Sequence, residues 1–209
     1  MNKIRMIALA ACMAATLDAS AQEQEIRLFS HRGGRMEHDE NTLSAFQASY
    51  DAGYRGFETD IRMTRDGALV ITHDSSLERT TDGTGTVEEK TEAEIRQLAT
   101  KQGNKMMFLD ELLEFLEGKE GLYVEFEMKT HPAALYPEER LARYCDELYR
   151  MVKAAEPADA QFVFTSSDYR AAARSGGVGQ RTAVRHAETK NLDQYSRDLT
   201  EMASRGELD

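Results

Sequence analysis

Two histidines, His31 and His73, each follow a short apolar run, and Glu58 and Asp60 lie between them in the chain. Glu58 and Asp60 alternate with Phe57, Thr59 and Ile61; farther on, Glu125, Glu127 and Lys129 alternate with Leu122, Val124, Phe126 and Met128. Successive side chains of a strand point to opposite faces, so each run separates an apolar face from an acidic one. The ordinary account of such a pattern is an antiparallel sheet with one wet, charged face. Helical patterns alternate with the strands here, however, and that argues for a parallel sheet covered by helices, with the carboxylates turned inward. Inward-facing carboxylates repel one another and resist losing water. A hard cation with oxygen ligands removes both problems. Imidazole titrates near neutral pH, so two histidines flanking such a cluster form a candidate acid/base pair.

The elements that would position these groups follow from periodicity. Ile26 to Ser30 reads as a strand ending at His31, and residues 42–52 as a helix capped by Asn41, with Leu43, Phe46 and Tyr50 at helical spacing and Gly53 at its end. Gly56 to Ile61 is a strand, Asp66-Gly67 a turn, and Leu69 to Thr72 a strand ending at His73. Residues 75–108 are less regular, with a Thr/Gly-rich loop at 80–85 and a polar helix around Thr91 to Ala99. Beyond them come a helix on Leu109, Leu112, Leu113 and Leu116, closed by Gly118, and a strand from Leu122 to Met128. A long helix starts at Pro137 and carries Leu141, Tyr144, Cys145, Leu148 and Val152 on one face. Gln161 to Ser166 is a strand, Tyr169 to Arg174 a short helix, Arg181 to Arg185 a strand and Leu192 to Met202 a final helix. The total is about six strands, against the eight strands and about 250 residues of a TIM barrel.

In order and spacing, the chain resembles the glycerophosphodiester phosphodiesterase family. The matching pieces are His31-Arg32-Gly33, Glu40-Asn41-Thr42, Glu58-Thr59-Asp60, Thr64-Arg65-Asp66-Gly67, His73-Asp74, Leu77 through Gly85, and Glu127-Met128-Lys129, with a weaker one at Thr165-Ser166-Ser167-Asp168. The resemblance implies an α/β fold, a TIM-like barrel with a small insertion near residues 75–108, C-terminally incomplete in this chain. It implies Glu58, Asp60 and Glu127 as ligands of one divalent cation, Ca2+ or Mg2+, His31 and His73 as the acid/base pair, and Arg32 and Lys129 as phosphate holders. The expected activity is hydrolysis of a small-molecule glycerophosphodiester to glycerol 3-phosphate and an alcohol, through a cyclic phosphate. Two alternatives stand beside it: a non-catalytic remnant of the same fold, and a related phospholipase-type barrel, which also pairs two histidines. The Glu-Thr-Asp spacing and the Arg-Thr-Thr-Asp-Gly loop favour the diesterase. Glu40 and Asn41 could stand behind the site residues, with a helix-capping role favoured for Asn41, and Glu125, His38 and His131 are read as bystanders. Asp39 stands where the family often has proline, and Met106-Met107-Phe108 replaces an Ile-Pro-Thr-like stretch; both are read as loop differences.

Composition bounds these readings. The 209 residues suit one domain, and 41% hydrophobic residues suffice for a core. A net charge of −11 excludes nucleic acid as a natural partner. An anionic substrate then requires local reversal of the field, which a divalent cation with a few placed Arg or Lys side chains supplies. No apolar run reaches the roughly 20 residues of a transmembrane helix. Lys3 and Arg5, the apolar stretch Ile7 to Leu17 and the Ala19-Ser20-Ala21 signal read as an export leader over residues 1–21, with the phosphodiesterase domain at 26–209. A competing reading takes Leu9 to Cys12 as a lipoprotein box with Cys12 acylated. Either way the expected destination is periplasmic or secreted. Cleavage at residue 21 leaves Cys145 alone, with no partner for an intrachain disulfide.

Overall fold

The computed structural model describes residues 28–157 and 159–175. The expected leader, Cys12, the strand at 181–185, the helix at 192–202 and the expected C-terminal incompleteness of the barrel all lie outside the described residues. Within them the fold is α/β. Strands β1 (Phe29–His31), β2 (Gly56–Met63), β4 (Tyr123–Met128) and β5 (Gln161–Thr165) run parallel in the order β1-β2-β4-β5. Helices α1 (Leu43–Asp51), α3 (Leu109–Leu116) and α4 (Glu138–Ala155) cover the sheet, with a short α2 (Glu92–Ile95) and a final α5 (Tyr169–Ser175).

Period-two alternation sorts the strand faces as expected. Phe57, Ile61, Val124, Phe126 and Met128 are buried against Leu109, Leu112 and Leu116 of α3 and Leu141, Tyr144, Leu148 and Val152 of α4. Burying apolar surface of this kind is the main favourable term in folding. The five residues assigned to one face of the long helix are all buried, and the Tyr144 hydroxyl donates to the Ile61 carbonyl at 2.9 Å, fastening α4 to β2. A second, smaller core of Val70, Leu77, Val87, Ile95, Met106 and Phe108 lies under residues 75–108. Met106 and Phe108 belong to this second core and Met107 to the larger one, so all three are core residues, not loop chemistry. Leu43, assigned to the buried face of α1, is exposed instead.

One strand departs from the parallel pattern. β3 (Leu69–Ile71) pairs antiparallel with the end of β2, Met63 opposite Leu69 and Ile61 opposite Ile71. The intervening residues turn at Asp66-Gly67, where Gly67 has φ +105°, a left-handed conformation that favours glycine. Thr64 stitches the turn through a 2.7 Å hydrogen bond to Asp66 and one of 2.9 Å from the Ala68 N–H. A connection this short cannot make the crossover that a parallel pair needs, so a hairpin results. Because β4 pairs with β2 along both stretches, β1 and β3 must share the opposite edge of β2. They approach along that edge from opposite directions, and their ends face each other beside Glu58 and Asp60.

Candidate active site

His31 closes β1 directly across from Glu58 in the register. His73 arrives by the hairpin: the Thr72 N–H bonds the Asp60 carbonyl at 3.0 Å, which brings the next residue alongside the acidic stretch. Asp60 is in turn opposite Glu127 on β4. Neighbouring strands lie about 4.8 Å apart, so this register forces the carboxylates together. One oxygen each from Glu58, Asp60 and Glu127 lies within 4.8 Å of the others. Glu125 is on the same face but outside this group.

Three negative groups in so small a space need counter-charge. Lys129 places its Nζ 2.6 Å from Glu127 Oε1 and 3.2 Å from Asp60 Oδ1. Arg32 Nε is 3.1 Å from Asp60 Oδ2, and its backbone N–H donates to Glu58 Oε2 at 3.1 Å. The remaining deficit shows in Glu58: burial, then the adjacent Asp60 charge, pushes its carboxyl up to about 8. Glu58 Oε1 and Asn41 Oδ1 are buried with no hydrogen-bond donor. Buried polar atoms are nearly always satisfied. Two orphaned oxygens in a crowded carboxylate cluster suit a hard cation, which takes oxygen ligands and offsets the repulsion. The site fits one divalent ion; Glu58, Asp60 and Glu127 are the residues that would hold it.

The loop from Arg32 to Asn41 is shaped for this site. Arg32 (φ +53°) and Asn41 (φ +59°) both adopt the left-handed region, uncommon for residues other than glycine. The Asn41 N–H closes the loop on the Arg32 carbonyl at 2.9 Å. Gly33 has φ +75°, and a Cβ there would stand 2.9 Å from that of Ala45, so α1 packs against a position only glycine fits. The expected cap of α1 is corrected. Thr42 caps it, accepting from the Ala45 N–H at 3.3 Å, while the Asn41 side chain donates to Asp60 Oδ2 at 2.9 Å. The Glu-Asn-Thr run holds two residues able to cap, and the sequence could not say which is free for the site.

Each histidine has a distinct setting. His31 is half exposed, with Nε2 3.5 Å from Glu58 Oε2. Burial, then the charges of Arg32 and Arg35, lowers its pKa; His73 also acts on it. His73 Nδ1 is 2.7 Å from Asp74 Oδ1. Burial opposes the charged form of Asp74, but hydrogen bonds from Arg79 and His73 outweigh it and hold the carboxyl at about 2. An ionised Asp74 favours the tautomer that carries the proton on Nδ1, which leaves Nε2 as the other ring nitrogen, able to exchange a proton. Arg79 also grips Glu40 through two bonds of 2.9 and 2.8 Å, and Glu40 accepts from Arg32 at 3.1 Å. A chain of alternating charge thus connects His73 to Arg32. The Thr/Gly-rich loop is not part of the site as described: the Gly85 N–H bonds Glu78, and Gly83 packs against Leu98. Asp39, in the family's proline position, anchors the 100–104 turn by accepting from Thr100 and, at 2.8 Å, from Asn104.

Residues 31–195 match the glycerophosphoryl diester phosphodiesterase family. The chain belongs to that family. A glycerophosphodiester phosphodiesterase of Caldanaerobacter subterraneus is 35% identical over 129 residues, 57% of this chain and 52% of that protein. Human glycerophosphodiester phosphodiesterase 1 is 35% identical over 114 residues, 51% of this chain and 34% of the relative. The chain thus spans about half the length, or less, of these curated relatives. Among solved structures, a glycerophosphoryl diester phosphodiesterase of Silicibacter pomeroyi superposes with a TM-score of 0.65 at 26% identity, covering 72% of this chain and 61% of its own. An Oleispira antarctica phosphodiesterase, solved with sn-glycerol-3-phosphate, gives a TM-score of 0.66 at 22% identity over 87% of this chain and 81% of its own, a likeness of fold. The α/β fold is therefore of the TIM-like barrel type that the family shares, with the insertion after β3. Among the described residues no helix is long and apolar enough to cross a membrane.

Proposed function

We propose that this chain hydrolyses glycerophosphodiesters to glycerol 3-phosphate and an alcohol, with one divalent cation, Ca2+ or Mg2+, on Glu58, Asp60 and Glu127. The observation that carries the reading is the meeting of these three carboxylates, with Glu58 Oε1 buried and without a hydrogen-bond donor, beside the two strand ends that lead to His31 and His73. Relatives of 30–35% identity named as glycerophosphodiester phosphodiesterases support the substrate class. When bound, the cation supplies Lewis-acid stabilisation of charge on the phosphoryl oxygens.

The chain's own residues supply the proton transfers and the orientation. His31, disposed to be neutral, takes the proton of the glycerol 2-hydroxyl as that oxygen bonds to phosphorus. His73, oriented by Asp74, gives its Nε2 proton to the departing alcohol as the other ester bond breaks. Water then opens the cyclic phosphate with the proton roles reversed, and glycerol 3-phosphate leaves. Arg32 and Lys129, held against the carboxylates, supply positive charge that stabilises the anionic transition state. The test is glycerol 3-phosphate release from glycerophosphocholine, with EDTA, and after restoring Ca2+ or Mg2+. Release that stops with EDTA and returns with one of the ions is expected; no release under any of these conditions removes the reading.

A further inference from the structure

Arg62 is the third side chain on the Glu58–Asp60 face of β2, yet it takes no part in the carboxylate cluster. Its guanidinium is buried against Glu88, from the single 3-10 turn Val87–Glu89 in the insertion, with Nη1 2.7 Å from Oε1 and side chains 6% and 1% exposed. The same Nη1 donates to the His131 carbonyl at 3.0 Å, and Nε donates to the His73 carbonyl at 2.9 Å. One rigid planar group therefore fastens three segments: the hairpin arm that presents His73, the insertion, and the loop that follows Lys129. Glu88 is itself fixed, since the Tyr136 hydroxyl donates to its Oε1 at 3.0 Å and Arg140 donates to its carbonyl at 3.4 Å. A buried ion pair is a poor source of stability compared with apolar residues of the same volume. What this one supplies is direction: a guanidinium fork fixes where its acceptors stand.

We propose that Arg62 and Glu88 are positioning residues through which the 75–108 insertion sets the placement of His73 relative to Lys129 across the mouth. Neither touches the reacting atoms. The consequence for turnover rests on the diesterase reading; the placement itself does not. Misplacing a reacting group by about 1 Å can cost on the order of 100-fold in rate.

Two variants test this. Arg62→Lys keeps the charge but offers a point donor in place of the fork. The double variant Arg62→Met/Glu88→Leu removes both charges at similar volume and leaves neither buried alone. For each full-length protein the melting temperature, kcat and KM on glycerophosphocholine, and the ring 15N resonances of His73 without substrate are measured. The double variant is expected to melt close to wild type, whereas both variants lose about 10- to 100-fold in kcat with little change in KM, and the His73 resonances move in both. Unmoved His73 resonances, or a double variant that turns over at the wild-type rate, overturn the proposal. Should the wild-type protein release no glycerol 3-phosphate, the diesterase reading falls, and the resonances alone decide the positioning role: moved in Arg62→Lys, it stands; unmoved, it fails.

Discussion

The cluster is electrostatically unfinished, and its residues should report that separately. Replacing His31 or His73 by Ala is expected to lower kcat by roughly 100- to 10,000-fold, the usual contribution of a positioned acid or base. The melting temperature should stay near wild type, because His31 is half exposed and the His73 ring bonds a partly exposed Asp74. Full turnover in either variant would falsify the acid/base assignment. Glu58 makes a prediction about pH. Its folded carboxyl titrates at about 8, against about 4.3 for an exposed glutamate. The folded state therefore binds the extra proton between those values, and stability falls as pH rises through that window. In EDTA, the melting temperature of wild type minus that of Glu58→Gln should decline from pH 5 to pH 8. His31, whose lowered pKa acts in the opposite direction below its ordinary value, is present in both proteins, so the subtraction reduces its share. A difference that is flat with pH would mean that Glu58 is not under the strain its burial implies.

At the scale of elements, the site depends on how β1, β2 and β3 meet. The chemistry of Asp66-Gly67 and the short spacing between strands turn β3 back along β2, and only that return sets His73 beside Asp60. The turn and both strands were legible from the sequence, but the antiparallel pairing was not, because strand-helix alternation elsewhere suggested a parallel neighbour. The start of α1 is a second case. Thr42 and Asn41 are both good caps, and the choice between them is made by Asp60, nineteen positions away in sequence, which takes the Asn41 amide. Thr42→Ala should accordingly cost about 1 kcal/mol in a denaturant titration. Gly33→Ala should cost more, about 1–3 kcal/mol, since it adds a side chain at φ +75° and a clash with Ala45. A Gly33→Ala protein as stable as wild type would show that α1 and the Arg32–Asn41 loop can part without penalty.

For the molecule as a whole, cation binding and folding should be linked. A ligand that binds only the folded state stabilises it by about 2.7 kcal/mol at 100 times its Kd. For a domain of this size that corresponds to a rise in melting temperature of roughly 5–10 °C. Calorimetry in EDTA and in excess Ca2+ or Mg2+ measures it, and identical melts in all three conditions would show that the carboxylates hold no ion. The larger core supplies the frame. Phe126 is fully buried and packs edge-on to Phe162 at 5.3 Å between ring centres. Phe126→Ala is expected to cost about 3–5 kcal/mol, the usual range for a deleted buried ring.

Alternation along β2 and β4 decided by itself which side chains are acidic-face and which are core, because strand geometry permits only two faces. Residue type decided the chemistry available: carboxylate oxygens for a hard ion, imidazoles for proton transfer, and a helical face from Leu141 to Val152 for the covering layer. The sequence could not decide the register that sets Asp60 opposite Glu127, the shared edge on which the ends of β1 and β3 meet, or the claim of Asp60 on Asn41. Nor could it foretell that Arg62 would tie His73, Glu88 and His131 together. Each of those depends on groups distant in the chain competing for one partner in space. Local periodicity carries no information about such competition; packing and hydrogen-bond satisfaction in the folded chain resolve it.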